Sequence, residues 1–383
     1  MNISILEKNL QEIQEQGIYR RLRTVDSSQG REIILEGQRV LNFCSNDYLG
    51  LANDERIKAS AIEAIKEYGF GSGASRLICG NMSPHDKLET ELAQFKKTES
   101  ALVYSSGYMA NAGIIPALMD RNSVVFSDKL NHASIIDGII LSRAKLVRYP
   151  HCDMQALEEM LKNIPTAQHK LIVTDSVFSM DGNKAPLGGI VALARRYEAM
   201  VMVDEAHAFG VLGTRGCGLI EELSLEGKIE IQMGTLSKAA GCFGAYACGT
   251  KILRDYLINK SHSFIYTTAM PPSLAQAARV ALKIIGEAGQ LRRTLQENGD
   301  YLRAKLHAMG LDTMQSSTPI IPILVKDPLQ AVAMSKRLLE QGIFVQAIRP
   351  PTVPVGASRL RITVMATHTQ DDLGRLLNAL RKL

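Results

Sequence analysis

The chain lacks several features that would assign it quickly. No run approaches the roughly 18 apolar residues of a membrane-spanning helix, so no membrane role is expected. Residues 1–10 are polar and mixed in charge, without the apolar core of a secretory signal. A cytoplasmic protein is expected. The six cysteines, Cys44, Cys79, Cys152, Cys217, Cys242 and Cys248, form no C-x-x-C pair. They are expected to be small buried residues in a reducing compartment. A net charge of +5 on 383 residues is too small an excess to call for a nucleic-acid partner. The glycine-rich stretch 69–75 has its third glycine at the wrong spacing for a dinucleotide fingerprint. No internal repeat or low-complexity segment interrupts the chain.

What is present is an ordinary globular balance, 46% hydrophobic and 22% charged. The length suits about two domains of roughly 100–200 residues each. Ile3, Leu6, Leu10 and Ile13 recur at helical spacing, and Gly17 closes that helix. Two short strands follow at 32–35 and 40–43. Helices are predicted at 54–68, 84–95, 109–118, 134–141, 154–161 and 190–197. Strands are predicted at 101–104, 124–126, 146–149, 171–174, 200–203, 230–233 and 244–247. Continuous apolar strands separated by helices predict an α/β fold, a mostly parallel sheet covered on both faces. A long helical stretch, 271–309, leads into strands and helices that alternate to the end. The expected organisation is an N-terminal helix and arm (1–45), a large α/β domain (46–285) and a small C-terminal α+β domain (286–383).

Ligands of such sheets sit beyond the carboxyl ends of the strands, where the chemically suggestive residues fall. Lys238 lies in Gly234-Thr235-Leu236-Ser237-Lys238-Ala239-Ala240-Gly241, with no charged neighbour. Asp204 closes the apolar run 201–203 upstream. A lysine that forms a Schiff base, with an aspartate for a pyridinium nitrogen, is what pyridoxal phosphate (PLP) requires. A solvated surface lysine is the alternative. Asp204-Glu205-Ala206-His207 alone matches a helicase DEAH box, but the phosphate-binding Gly-Lys-Ser/Thr is missing. No second histidine stands at ligand spacing, so no metal is expected. His207 can reach a cofactor's phenolic oxygen. The turn Ser105-Ser106-Gly107-Tyr108, between a strand and a helix start, makes a phosphate site from unsatisfied N–H groups and the helix dipole.

Other residues carry two readings each. His132 either caps a helix or stacks on a cofactor ring, and Ser179 is a turn serine or a donor to the phenolic oxygen. Arg359 and Arg361 share one face of a strand. They are exposed strand arginines, or they offer a fork for a substrate carboxylate. The cluster Tyr19-Arg20-Arg21-Leu22-Arg23 is a solvated face or an anion-binding arm.

With these residues placed, the chain resembles the α-oxoamine synthases, fold-type I PLP-dependent transferases, from about Asn42 to His368. The resemblance rests on residues 347–354 (Ala-Ile-Arg-Pro-Pro-Thr-Val-Pro), Arg359-Leu360-Arg361 and Ala366-Thr367-His368. Residues 45–50, 177–182 and 266–272 support it. It implies a decarboxylative condensation of an amino acid with an acyl thioester. The match points to the branch that joins L-alanine to pimeloyl-CoA, or to pimeloyl carried on acyl carrier protein, in biotin synthesis. Glycine C-acetyltransferase, 5-aminolevulinate synthase, serine palmitoyltransferase and a non-catalytic PLP-binding subunit stay open as alternatives.

By motif, the resemblance implies that Lys238 is the covalent anchor and that Asp204 pairs with the ring nitrogen. His132 stacks on the ring and also meets substrate, and His207 and Ser179 contact the cofactor. Gly107, Tyr108 and Thr235 hold it from the phosphate side. Arg361 holds the amino-acid carboxylate, while Thr352 and Arg20 contact substrate. Family sites lie at a homodimer interface, where Thr267 and Thr268 reach the neighbouring subunit's phosphate. Ser237 departs from the pattern, since many relatives carry glycine there. Its hydroxyl either adds a phosphate contact or fills space.

Overall fold

The computed structural model describes residues 3–383; Met1 and Asn2, at the head of the expected arm, lie outside the described residues. Contacts divide the chain into two compact units. The larger consists of Leu51–Ser179 and Lys184–Arg292. The smaller consists of the segment up to Gly50, Met180–Asn183 and Arg293–Leu383. The strands, numbered in chain order, are β1 (Glu32–Leu35), β2 (Gln38–Asn42), β3 (Ser100–Tyr104), β4 (Val124–Asp128), β5 (Lys145–Tyr149), β6 (Lys170–Asp175) and β7 (Met200–Asp204). There follow β8 (Ile231–Thr235), β9 (Ala245–Gly249), β10 (Ile320–Lys326), β11 (Ile343–Phe344), β12 (Gln346–Ile348) and β13 (Ser358–Thr363).

In the larger unit β3 to β9 form one sheet in the order β3-β9-β8-β7-β6-β4-β5. Only β9 runs against its neighbours, pairing antiparallel with both β3 and β8. The carboxyl ends of β3, β4, β6, β7 and β8 therefore share one edge of the sheet. Val125, Leu171, Val173, Met202, Ile231 and Met233 pack with Ile114 and Ile115 of the helix Gly107–Leu118 and Ile135 and Ile139 of the helix Ala133–Ser142. All ten are buried, and each large side chain so buried is worth about 1.5–3 kcal/mol. This core fixes the height at which each loop leaves the sheet. The continuous apolar strands thus form the covered, mostly parallel sheet that their pattern predicts.

Some boundaries differ from expectation for identifiable reasons. The helix expected at 109–118 begins at Gly107, because Ser106 caps it by accepting the Met109 N–H at 3.2 Å. The stretch 271–309 is two helices, Pro272–Glu287 and Gly289–Ala308. The first ends where the Ala288 N–H turns to the Ile285 carbonyl, between Gly286 and Gly289. The cysteines are not uniformly buried: Cys217 and Cys248 are, Cys44, Cys152 and Cys242 are half-buried, and Cys79 is exposed. Cys79 rides on a short helical turn, Arg76–Gly80, that the sequence pattern did not reveal. No helix among the described residues is long and apolar enough to cross a membrane.

In the smaller unit β1 and β2 form an antiparallel hairpin, and β11 joins β2 in parallel. A second sheet has the order β10-β13-β12, with both pairings antiparallel. The N-terminal helix Ile3–Glu15 forms as predicted, but its apolar residues Ile3, Leu6 and Leu10 remain exposed.

This unit contains a built-in acid sensitivity. His368 stacks on Phe43 with ring centroids 4.3 Å apart. Its Nδ1 accepts the Met365 N–H at 3.0 Å and its Nε2 meets the Asn42 carbonyl at 3.1 Å. Burial pushes its imidazole down to about 4, against the pull of the Asn42 carbonyl and Asp372. An unfolded histidine takes up its proton near 6.5, so below that pH the unfolded state binds more protons and stability falls. The loss runs at about 1.4 kcal/mol per pH unit and levels off near the folded value of about 4. The urea midpoint of the wild type should therefore drop more between neutral pH and mild acid than that of His368→Asn. Equal drops would refute this assignment.

Candidate active site

Lys238 lies on the loop between β8 and β9. Hydroxyl groups close that loop. Thr235 Oγ1 donates to the Gly244 carbonyl at 2.8 Å and accepts the Ser237 N–H at 3.1 Å. Ser237 Oγ donates to the same carbonyl at 3.2 Å and accepts the Gly244 N–H at 3.1 Å. Ser237 thus ties the loop ends together. Gly241, with φ of +63°, lets the loop pass Leu51 and Ala52, since a Cβ there would sit 2.4 Å from their backbone. Lys238 Nζ lies 2.9 Å from His207 Nε2.

One strand away, Asp204 ends β7 and is buried. Its Oδ1 accepts the Ala206 N–H and its Oδ2 accepts from Asn111 Nδ2, both at 2.9 Å. Asn111 Nδ2 also donates to Ser134 Oγ at 2.9 Å, and that hydroxyl lies 2.8 Å from His132 Nδ1. A single buried amide therefore links Asp204 to the histidine that caps the helix Ala133–Ser142. Asn111 Oδ1 has no hydrogen-bond partner among the described residues. Asp175 ends β6 directly beside Asp204 and accepts the His132 backbone N–H at 2.7 Å. Burial, reinforced by the Asp204 charge, pushes the Asp175 carboxyl well above the usual carboxylate range. Burial pushes the His132 imidazole down, and the Lys238 charge adds to this, although Asp204 and Asp137 pull the other way. His132 therefore presents a flat, neutral ring. The capping and stacking readings are compatible: Nδ1 serves the cap while the ring faces remain a surface.

The remaining residues of the larger unit fall at the same sheet edge. Gly107 and Tyr108 open the helix after β3, and the Tyr108 hydroxyl bonds Asp137. Ser179 follows β6, beyond a bridge between Val177 and Lys184. Thr235 ends β8. Sequence reasoning missed Asn111, Ser134 and Asp175. The usable signal was Asn111, a polar residue inside an apolar helix, where asparagine is disfavoured unless a tertiary bond holds it.

Arg361, Thr352 and Arg20 belong to the smaller unit. Arg359 and Arg361 share a face of β13, but both are buried, so the exposed-arginine reading fails. Arg359 is committed to Asp181 and to the Ala357 carbonyl. Arg361 donates to two uncharged oxygens, Thr363 Oγ1 at 2.9 Å and Asn46 Oδ1 at 3.0 Å. Arg20 and Thr352 meet, Nη2 to Oγ1, at 3.3 Å. They line a groove of about 1020 Å³ whose wall also carries Arg21, Arg23 and Arg349. Burial and the Arg20 charge both lower the Arg349 pKa, as expected of a surface that concentrates positive charge.

An amine, a fixed buried carboxylate, a neutral ring and a helix start stand along one sheet edge, the kinds of group that an aldehyde, a pyridinium, a ring face and a phosphate such as those of PLP would require. The sequence model for aminotransferase class I and II matches residues 38–380, and the chain belongs to that family of PLP-dependent enzymes. The 8-amino-7-oxononanoate synthase of Geobacter sulfurreducens is 52% identical to it, over 98% of this chain and 96% of its own length. A serine palmitoyltransferase solved with PLP superposes with a TM-score of 0.94 at 31% identity, covering 98% of this chain and 96% of its own. The 8-amino-7-oxononanoate synthase of Francisella tularensis superposes at 0.79 with 32% identity, covering 90% and 97%.

Asn111 gives a prediction of its own. In Asn111→Leu, Asp204 Oδ2 and Ser134 lose their donor, at a cost of about 1–3 kcal/mol. PLP affinity should fall by roughly five- to 150-fold in a fluorescence titration, with the far-UV dichroism unchanged. Wild-type affinity would mean that Asn111 does not position Asp204.

Proposed function

We propose that this chain catalyses the decarboxylative condensation of L-alanine with a pimeloyl thioester. The products are 8-amino-7-oxononanoate, CO2 and the free thiol carrier, either CoA or acyl carrier protein. The observation that carries the proposal is the 52% identity to a synthase of that name over nearly the whole chain. We place the reaction in the cytoplasm, in biotin synthesis, on a homodimer in which Thr267 and Thr268 reach the partner's cofactor phosphate.

When bound, PLP supplies a covalent handle for amines and an electron sink for charge at the amino acid's α-carbon. Lys238 would hold it through Nζ, Asp204 would serve its ring nitrogen, and His132 would stack on its ring. Ser179 and His207 would serve its phenolic oxygen, while Gly107, Tyr108 and Thr235 would hold its phosphate. Lys238 Nζ is also the base that takes the substrate's α-proton and later returns it. Its neighbour His207, 2.9 Å away, orients the amine between those transfers. Arg361 supplies a fork for the amino-acid carboxylate. Arg20 and Thr352 meet the acyl substrate.

The test follows the absorbance of the PLP-loaded enzyme, first with L-alanine or glycine, then with pimeloyl-CoA or acetyl-CoA. A spectral response to alanine with thiol release only on adding pimeloyl-CoA is the expected result. Release with glycine and acetyl-CoA instead would move the chain to the acetyltransferase branch. Turnover of serine with palmitoyl-CoA would move it to the palmitoyltransferase branch.

A further inference from the structure

Outside this site, Asp128, His151 and Cys152 bring a carboxylate, an imidazole and a thiol together, with one ligand atom of each within 4.8 Å of the others. The sheet makes the cluster: β4 and β5 run parallel with Asp128 opposite Tyr149, so the residues after β5 turn back over the Asp128 side chain. Asp128 Oδ1 takes His151 Nδ1–H at 2.9 Å and the Leu130 N–H at 2.8 Å. Its Oδ2 takes the Cys152 N–H at 2.8 Å. Three N–H donors already occupy this carboxylate, which makes it a poor metal ligand and a firm support for His151. The ring is clamped on another side by Phe178, edge-on at 4.4 Å between centroids.

Cys152 Sγ lies 3.6 Å from His151 Nε2 and 3.7 Å from Nδ1. Near-equal distances to both nitrogens put the sulfur over the ring, where it meets the ring's charge instead of a lone pair. Burial opposes that charge, but the bond to Asp128 and the contact with Cys152 outweigh it and carry the imidazole to about 10. His151 is thus a cation at neutral pH. The thiol also precedes the helix Met154–Lys162 by two residues. A fixed imidazolium beside the sulfur can steady negative charge that develops on it as it reacts. Burial drives the thiols of Cys44, Cys217 and Cys248 up to about 12, which makes them inert at neutral pH.

We propose that Cys152 is a thiol-modification site, activated by His151 and open to small disulfides. The Cys152 thiolate attacks one sulfur of the disulfide. A new S–S bond forms, the old one breaks, and the departing thiolate leaves with its electron pair and takes a proton from water. The small disulfide is the oxidant, and His151 keeps its proton throughout. The adduct presses on a carboxylate that also holds the Leu130 N–H, two residues before His132. Modification at Cys152 therefore reaches the loop that carries His132; this coupling rests on the function proposed above.

The PLP-loaded enzyme is treated with oxidised glutathione near neutral pH, and adducts are mapped by peptide mass spectrometry over time. Cys152 should react about tenfold faster than the exposed Cys79, and His151→Gln should slow Cys152 by about tenfold without changing Cys79. Cys79 reacting first, or a Cys152 rate indifferent to His151→Gln, would overturn the proposal. Cys152→Ser should abolish the fast adduct, which guards against misassigned peptides. Full modification should also shift the PLP absorbance, reversibly with dithiothreitol. Complete modification with no shift would remove the coupling and leave the site.

Discussion

Replacing Lys238 by alanine is expected to leave PLP bound only non-covalently and to reduce turnover to background. The effect is large because Lys238 is the amine placed beside His207. The buried lysines are committed elsewhere, Lys96 to Glu205 and the Cys217 carbonyl, and Lys170 to the carbonyls of Pro165 and Thr166. Loss of the general base alone removes about 10²–10⁴ in rate, and loss of the covalent handle adds to it. Lys238→Arg is the informative companion. It keeps a cation beside His207 but offers no nucleophile, so it should restore some PLP affinity without restoring turnover. Thiol release in a single-turnover assay and PLP retention through gel filtration measure the two effects separately. Near-normal turnover in Lys238→Ala would sink the assignment of this lysine.

Asp204→Asn is expected to be nearly as damaging, through charge. The substituted side chain has almost the same shape, so the packing between β6 and β8 should survive. What disappears is the anion facing the pyridinium nitrogen. At hydrogen-bond distance and an effective dielectric of about 20, that interaction is worth roughly 5 kcal/mol, or about 10³–10⁴-fold in rate if it is fully expressed in the transition state. The substitution should act on a second group too. Burial is the main reason the Asp175 carboxyl is held high, and the Asp204 charge is the next. Removing that charge should let Asp175 titrate lower, moving any acid limb of the pH–rate profile in the same direction. A variant with wild-type kcat would mean that Asp204 does not pair with the cofactor ring.

Strands such as Val124–Asp128 and Lys170–Asp175 could be read from the sequence because they are buried on both faces and built around unbroken apolar runs, residues 124–126 and 171–173. The residues at their carboxyl ends followed from the general behaviour of such sheets, which is why Lys238, Asp204, His132 and Thr235 could be named before any coordinates. The connections between these residues could not. Asn111 bonds Asp204 across 93 positions of sequence and Ser134 across 23, and no local pattern encodes a partner that distant. Arg359 and Arg361 look equivalent as a strand pair. The difference between them comes from Asp181, which arrives on a separate segment and takes up only the first. Ser237 was undecidable for a similar reason, since its role depends on Gly244 returning to meet it.

The pairing of β2 with β11 in the smaller unit constrains how the protein is made. Ile343 lies opposite Leu41, about 300 positions later. At synthesis rates of about 5–20 residues per second, β2 leaves the ribosome on the order of 15–60 s before its partner exists. The segments of the larger unit, ending at Arg292, are complete before then. For that interval the hairpin carries an open edge, a surface that invites association with the wrong chain. The hairpin of β1 and β2 is thus a part of the nascent chain that a chaperone has reason to hold until β11 has been made.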